Sequence, residues 1–415
     1  MRTSTVRAVN ALTSRWAAHA ATAHAAAPDA GTVFTAAGVW PLLALFADGA
    51  CGPARVELEG ALGTSADAAA EAARDVLAAM EGIRGLHAAT GLWARQELPL
   101  EEGWSTRLPA GARGTLTGSD AIDHKALDAW AAERTGGLVE RMPVDLSPDT
   151  RFVLASALAL RMRWIRSFWP GRALIEEGPW AARSVLGLSR RTALLDRARV
   201  AHAATGPVTV LEVVGDGGVD VHLVLGEART PPGHVLRAGV AAVTRAIPST
   251  GASLLPEGNP GPGLHIERVL SQHPRSLLDV ETVAFEVRAE HDLLERPELF
   301  GLASAADLSR GHFPGISAEP LAVGSARQAA MARFHAEGFE AAAVTAFAAV
   351  AGGAPPRLRY RVRRASVAFH RPFGFLAVHR TSRLVLAAGW IREPVAYAAQ
   401  EPDYSAEEGD EGDWS

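Results

Sequence analysis

One segment near the C-terminus constrains the fold of this chain more than any other. It begins at Glu337, runs through small residues and ends in Gly-Gly-Ala-Pro-Pro at residues 352–356. Its Ala-rich part has the propensity of a helix, with Val344, Phe347 and Ala351 at helical spacing. The flexible Gly338 and the closing prolines cannot continue a helix, and side chains this small also fit both faces of a sheet. The segment could therefore be a helix or an extended strand.

Strand-like sequences lie on both sides of this segment. Residues 330–336 alternate upstream, and residues 366–378 form a strand pair interrupted at Pro372. A strand, a long small-residue segment and then Phe-x-x-Pro-Phe-x-Phe resemble the hinge, reactive-centre loop and C-terminal signature of the serpins.

The resemblance recurs along the chain. Residues 127–139 are similar to the family's Trp-x-x-x-x-Thr-x-Gly element, and residues 152–164 to its central strand and buried tryptophan, Trp164. Residues 56–62 and 306–309 match two further short motifs. Because the matches keep the family's order, the chain is identified as a serpin, of the bacterial type.

The resemblance implies an α+β fold with a large central mixed β-sheet, further sheets, about eight or nine helices and an exposed reactive-centre loop. Length alone would suggest two domains, but the resemblance predicts one, at 1–397, with the loop at about 337–365. We expect residues 398–415 to be an acidic, disordered tail. This tail has seven acidic residues and no Lys or Arg: Glu401, Asp403, Glu407, Glu408, Asp410, Glu411 and Asp413.

Local patterns give several element predictions. Helices are expected at 11–27, 39–47, 52–62 and near 292–300, and another carries Trp130 and ends at Gly136. Residues 151–160 predict a central strand because they are apolar on both faces, and 208–225 predict a hairpin. Residues 258–263 predict a loop, and 280–288 predict a strand.

No catalytic motif is present. The sequence lacks a Gly-x-Ser-x-Gly elbow and a His-Glu-x-x-His pair, its histidines are scattered, and Cys51 is its single cysteine. We therefore expect no enzyme activity, cofactor or metal site. Subtracting the seven tail acids from the net charge of −5 leaves about +2, too weak a field to predict nucleic-acid binding, and no apolar run predicts a membrane span.

The resemblance implies a trapping mechanism. A serine protease cuts the exposed loop, and the loop inserts into the central sheet before the acyl-enzyme is hydrolysed. The expected hinge comprises Glu337, Gly338, Phe339, Glu340, Ala341, Ala342, Ala343, Val344 and Thr345. Phe339 departs from the Thr, Ser or Val usual there, so overpacking could slow insertion at a cost of about 1–3 kcal/mol.

The sequence also departs from the family where the sheet opens. The positions that match the family's buried serines, asparagine and histidine read Thr35, Gly38, Ser156 and Gln328. Three of these residues are polar, so a substitute hydrogen-bond network is expected.

Two counts place the scissile bond differently. Counting forward from Gly338 gives Gly352-Gly353, with cleavage near Val350 as an alternative, whereas counting back from Phe369 gives Arg361. A dibasic site ending at Arg364 is a further alternative, although the run 357–364 more simply predicts a surface strand. We prefer the forward count, because nine extra residues would leave roughly 30 Å of slack in the inserted strand.

These inferences define the expected partner and location. The forward count favours an elastase-like or subtilisin-like serine protease, acting on a monomer. Absence of a signal peptide favours the cytoplasm, and the family resemblance keeps an extracellular location open. The main alternative function is a non-inhibitory serpin-fold binding protein that proteases cut as a plain substrate.

Overall fold

A computed structural model describes residues 1–20, 31–109, 111–147, 149–307, 310–339 and 358–398. Eight α-helices lie in these ranges. They are α1 (Thr3–Ala20), α2 (Ala36–Ala47), α3 (Gly52–Leu62), α4 (Ala66–Glu81), α5 (Glu102–Ser105), α6 (Asp120–Thr135), α7 (Pro232–Val243) and α8 (Pro297–Phe300). Short 3₁₀ turns occupy Leu195–Arg197 and Ser304–Ala306.

Twenty strands form three sheets, and they are numbered here in chain order. They are β1 (Thr32–Phe34), β2 (Leu86–Arg95), β3 (Arg113–Leu116), β4 (Phe152–Leu160), β5 (Met162–Arg163), β6 (Trp169–Ala173), β7 (Val185–Thr192), β8 (Ala198–Ala203), β9 (Gly206–Val214), β10 (Val219–Leu225), β11 (Ser249–Gly251), β12 (Gly258–Gly261), β13 (Leu264–Ser271), β14 (Leu277–Val283), β15 (Phe285–Asp292), β16 (Ser325–Phe334), β17 (Gly338–Phe339), β18 (Tyr360–Ala368), β19 (Phe373–His379) and β20 (Val385–Ile391).

The central sheet has the order β3-β2-β4-β16-β17-β5, and β15 pairs with the other edge of β16. The pairs β4·β16 and β2·β3 are parallel and the others are antiparallel, so the sheet is mixed as predicted. The second sheet runs β1-β20-β19-β10-β9-β8-β11, and the third runs β12-β13-β18-β14-β7-β6.

The continuous apolar run of β4 reflects burial on both faces. Leu154 and Leu158 join the main core, whereas Val153, Ala155 and Ala157 pack in a second apolar cluster with residues of α6. Helix α2 lies in the main core with all twelve of its residues buried. A strand covered on both sides loses its polar face, which is why its sequence does not alternate.

Several element predictions are confirmed. Helix α3 has the predicted bounds, β9 and β10 form the predicted hairpin, and α6 ends at Gly136, which has φ 62°. A positive φ is a backbone conformation that glycine adopts without steric cost.

Other element predictions are wrong. Gly258–Gly261 is the edge strand β12 instead of a loop, because it pairs with β13. The strand predicted at 280–288 is two strands, β14 and β15, and Asp292 closes β15, which leaves room only for the short α8. The first helix starts at Thr3, well before residue 11.

Candidate functional site

The short strand β17 separates two central strands at one end of the central sheet. Phe339 lies opposite Phe334 of β16 and opposite Met162 of β5, antiparallel to both. The His335 amide donates to the Gly338 carbonyl at 2.9 Å and closes a tight turn after β16. A Cβ on Gly338 would lie 2.2 Å from the Met162 carbonyl oxygen, so this position requires glycine.

Phe339 is already buried in the core, with 2% of its surface exposed. Its ring centroid lies 6.0 Å from that of Phe375 and 6.5 Å from that of Trp164. The sequence led us to expect that burial of this large side chain would follow loop cleavage. The structure instead provides an aromatic pocket for it before any further residue enters the sheet.

Trp164 donates two hydrogen bonds to the turn between β16 and β17. Its indole Nε1 donates to the His335 carbonyl at 2.8 Å, and its amide donates to the Glu337 carbonyl at 2.9 Å. Its ring packs on Phe334 at 4.8 Å between centroids. Burial lowers the pKa of His335, the nearby Arg333 adds to this effect, and Glu286 opposes it. The imidazole of His335 is therefore favoured in its neutral form.

Beyond β17, the sheet is closed. Strands β4 and β16 pair directly, from Val153 opposite Ser325 to Leu158 opposite Ala330. This register is the same one that places Met162 level with Phe334 on either side of Phe339. The β4–β5 segment and β16 therefore have the same relative register where they pair directly and where β17 lies between them.

The predicted polar cluster forms beneath the closed part of the sheet. The Thr35 amide donates to Gln328 Oε1 at 2.9 Å, and Gln328 Nε2 donates to the Thr35 carbonyl at 2.8 Å. The Thr35 hydroxyl accepts from the Gly38 amide at 3.1 Å and caps helix α2. The structure thus brings these three residues together, while Trp164 lies at the β17 end of the sheet.

Ser156 completes the cluster without a hydrogen bond. It is fully buried, and its hydroxyl has no partner among the described residues. A Cβ on Gly38 would lie 2.7 Å from this hydroxyl, so the absence of a side chain at Gly38 makes room for Ser156. Ser156 lies opposite Gln328 across the parallel pair of strands.

His291 belongs beside this cluster and was missed in the sequence. It lies opposite Gln328 on β15, and its Nε2 is 2.8 Å from the Val33 carbonyl oxygen. Its ring packs edge-on against Trp16 at 5.2 Å. The sequence shows His291 only as a histidine near the end of a strand. No local pattern marks it as part of the cluster, because its neighbours come from distant parts of the chain.

The alternative bait residues Arg361 and Arg364 lie in β18. This strand pairs with β13 over residues 360–367 and with β14 over residues 364–368. Arg364 Nε donates to Asp279 at 2.6 Å. Both residues therefore sit in a sheet, in agreement with the surface strand predicted from 357–364.

The remaining site predictions lie outside the described residues. They are the hinge residues Glu340, Ala341, Ala342, Ala343, Val344 and Thr345 and the bait residues Val350, Gly352 and Gly353. The acidic tail from residue 399 onward also lies outside them. These assignments remain predictions from the sequence.

The described residues hold neither a cluster of metal ligands nor a helix suited to span a membrane. They contain no group of three or more His, Cys, Asp or Glu side chains arranged to hold a metal ion. In the same ranges, no helix has the length and apolar character that crossing a bilayer requires.

Comparison with solved structures identifies the fold. Protease nexin-1 with heparin matches 93% of this chain and 99% of its own, with a TM-score of 0.68 and 17% identity. Thyroxine-binding globulin with thyroxine matches 94% and 99%, with a TM-score of 0.67 and 16% identity. Serpin48 of the insect Tenebrio molitor matches 93% and 97%, with a TM-score of 0.67 and 18% identity. The architecture, with three sheets and about eight helices, is therefore the serpin fold.

The sequence comparison agrees with the fold. Residues 8–176 match the family model described as serpin (serine protease inhibitor), and no curated protein matches the chain. Over these residues the chain is similar to the serpin family, and across the described residues it has the serpin fold. Its structural neighbours include both protease nexin-1 and a thyroxine-binding globulin.

Proposed function

We propose that this protein inhibits a serine protease by trapping it. The protease cuts the loop between Phe339 and Leu358, and the N-terminal part of the loop then inserts between β4 and β16. The observation that carries the proposal is β17, which already lies antiparallel between the two strands that would have to separate. Insertion would lengthen this strand by replacing the six direct pairs between β4 and β16.

The existing register supports a defined course for the inserted strand. The inserted strand would be antiparallel to both neighbours. Each further residue after Phe339 would therefore pair with the preceding residue of β16 on one side and of the β4–β5 segment on the other. Thr345, six residues on, would fall between Gln328 and Ser156, which already face each other. Ala348 would reach Ser325 and Val153, where the direct pairing begins. Both neighbours give the same alignment, so no bulge is needed.

Side-chain alternation fits the composition of the loop. Residues two, four and six after Phe339 share its buried face, because successive strand side chains point to opposite faces. These residues are Ala341, Ala343 and Thr345, which are small and uncharged, and the next residue on this face is the larger, uncharged Phe347. Glu340 would lie level with Arg333 and Arg161 on the opposite face, where a carboxylate can meet a guanidinium. No charged loop residue up to Ala348 would enter the core.

The bait bond proposed from the sequence is consistent with this length. Gly352-Gly353 lies four residues beyond Ala348, so the strand could insert fully and keep a short tether to the protease. Cleavage at Arg361 would require a protease to reach a bond inside β18, where Arg361 lies opposite Leu270. We therefore assign the bait to 350–353 and favour an elastase-like or subtilisin-like target.

A gel experiment tests this function. The protein is mixed with an elastase-like, a subtilisin-like and a trypsin-like protease, and the products are separated under denaturing conditions. We expect a covalent complex with one of the first two proteases, and mass spectrometry of the released C-terminal fragment should begin at residues 351–353. The trypsin-like enzyme should give a cleaved product without a stable complex.

The same material distinguishes inhibition from the alternative function. If all three proteases give only cleaved product, and the cleaved form melts no later than the intact form, the protein is a non-inhibitory member that binds another molecule. A stable complex with the trypsin-like enzyme and a fragment beginning at Val362 would overturn the bait assignment while leaving the trapping mechanism in place.

A further inference from the structure

A surface of arginines lies on the third sheet, separated from the end of β16 by Phe168, whose ring lies 5.6 Å from that of Phe334. Four side chains contribute to it: Arg166, Arg190, Arg191 and Arg364. They line an open depression of about 660 Å³ beside the edge strand β6. We call these four residues the arginine surface. It does not overlap the polar cluster beneath the central sheet, and it is independent of the proposed inhibitory function.

Arg190 is the member of this surface that is half-buried and carries a buried nitrogen without a hydrogen bond. It packs 4.3 Å over the Phe168 ring, and one guanidinium nitrogen donates to the Arg166 carbonyl at 2.8 Å. Its Nε is buried without a hydrogen-bond partner, and neither Arg190 nor Arg166 has a carboxylate partner within the described ranges. Burial, with Arg166 and Arg197 nearby, lowers the pKa of Arg190 to about 10. A half-buried cation beside another cation favours an added anion.

The local carboxylates are already engaged. Asp279 accepts from Arg191 at 2.5 Å and from Arg364 at 2.6 Å, so one carboxylate serves two guanidinium groups. Glu267 lies 3.8 Å from Arg364, and Glu281 lies 3.3 Å from His370. The arginine surface therefore keeps an excess of positive charge.

The described chain ends next to the strand that carries this surface. Ala396 bridges to Val185 at the start of β7, and the Tyr397 amide donates to the Ser184 carbonyl at 3.0 Å. Arg190 lies six residues farther along the same chain segment, about 20 Å from Ser184 at strand spacing. Because this bridge is antiparallel, the chain runs on toward residue 183, and the tail must turn back to reach the arginine surface.

The tail is long enough to bring its acidic residues to the arginine surface. Five of its seven acidic residues fall within 407–413, and Glu407 is nine residues beyond residue 398. Nine residues span up to about 30 Å when extended. A flexible linker of that length has a root-mean-square reach of about 17 Å, close to the required distance, and it holds its end at about millimolar effective concentration.

We propose that residues 407–413 of the acidic tail dock on the arginine surface of the same molecule. The tail carboxylates supply the anions that Arg166 and Arg190 lack. The contact is electrostatic and exposed, so it weakens as salt shortens the screening distance from about 30 Å at 0.01 M to about 3 Å at 1 M.

Fluorescence anisotropy of the full-length protein tests the proposal. The substitutions Cys51→Ser and Ser415→Cys place a single dye at the end of the tail. We expect the anisotropy of the dye to be high at about 20 mM salt and to fall at about 500 mM, because the docked tail moves with the folded body. The double substitution R166E/R190E should remove the high value at low salt.

Two further variants make the result specific. R113E/R141E changes two exposed arginines elsewhere and should keep the salt-dependent anisotropy. E407Q/E408Q/D410N/E411Q leaves the folded body untouched and should lose it, so the test stands even if R166E/R190E fails to fold. The proposal is overturned if the dye shows no salt dependence, if R113E/R141E loses the signal equally, or if the signal falls on dilution, which would indicate docking between molecules.

Discussion

Gln328 and Thr35 exchange two hydrogen bonds that join the central sheet to the start of helix α2. Each residue gives one donor and one acceptor, at 2.9 and 2.8 Å, and both are buried at 1% exposure or less. Gln328 thus accepts from the Thr35 amide and gives the Thr35 carbonyl a second donor beside the Val39 amide of α2. Because Gln328 lies on β16, any movement of β16 away from β4 acts on this pair.

The first prediction concerns the substitution Gln328→Ala. It leaves the buried Thr35 amide without a partner, while the Thr35 carbonyl still accepts from the Val39 amide at 3.3 Å, so we expect it to destabilise the intact protein by about 1–3 kcal/mol. Urea unfolding measures this loss. Gln96→Ala is the matched control, because Gln96 is exposed, and an equal effect of the two substitutions would contradict the role of the Gln328 pair.

The second prediction concerns Ser156 and Gly38. Ser156→Ala removes a buried hydroxyl that has no described partner, so we expect it to stabilise the intact form by about 1 kcal/mol. Gly38→Ala should cost about 1–3 kcal/mol because the new Cβ would lie 2.7 Å from the Ser156 hydroxyl. The double variant should recover most of that cost. Additive effects in this double-mutant cycle would show that the two side chains do not compete for the same space.

The third prediction concerns Phe339→Ala. Because Phe339 is buried before cleavage, we expect the intact and the cleaved protein to lose similar stability, about 3–5 kcal/mol. Melting temperatures of both forms provide the measurement, and Phe339→Leu should have a smaller effect on each. A loss confined to the cleaved form would show that Phe339 enters the core only on insertion.

The fourth prediction concerns pH. Burial lowers the pKa of His222 to about 4, although Glu212 and Asp220 oppose the shift. The unfolded chain, with a histidine pKa near 6.5, binds more protons between these values, so stability falls as pH falls from about 6.5 to 4. The expected loss is about 3 kcal/mol. Unfolding midpoints of His222→Gln should vary less over this range, whereas His202→Gln, at an exposed position, should behave like the unmodified protein.

The sequence predicted those features that depend on local chemistry. The buried run of β4, the hairpin of β9 and β10 and the glycine end of α6 follow from periodicity and turn residues. The polar cluster was found only through the family resemblance, because its residues are up to 293 positions apart. No local pattern could show that Phe339 is already buried, since its pocket combines Trp164, which follows β5, with Phe375 of β19.

The last prediction tests the register of insertion by placing a lysine on each face of the entering strand. Thr345→Lys would bring a charge into the core between Ser156 and Gln328, both 0% exposed, and burial of an unpaired charge costs several kcal/mol. We expect this variant to be cleaved without forming a complex or gaining thermal stability. Glu340→Lys would lie beside Arg333 and Arg161 at the surface, where like-charge repulsion costs under about 1 kcal/mol, so trapping should persist. If Glu340→Lys blocked trapping while Thr345→Lys did not, the inserted strand would have to be shifted by one residue, because a one-residue shift exchanges the two faces.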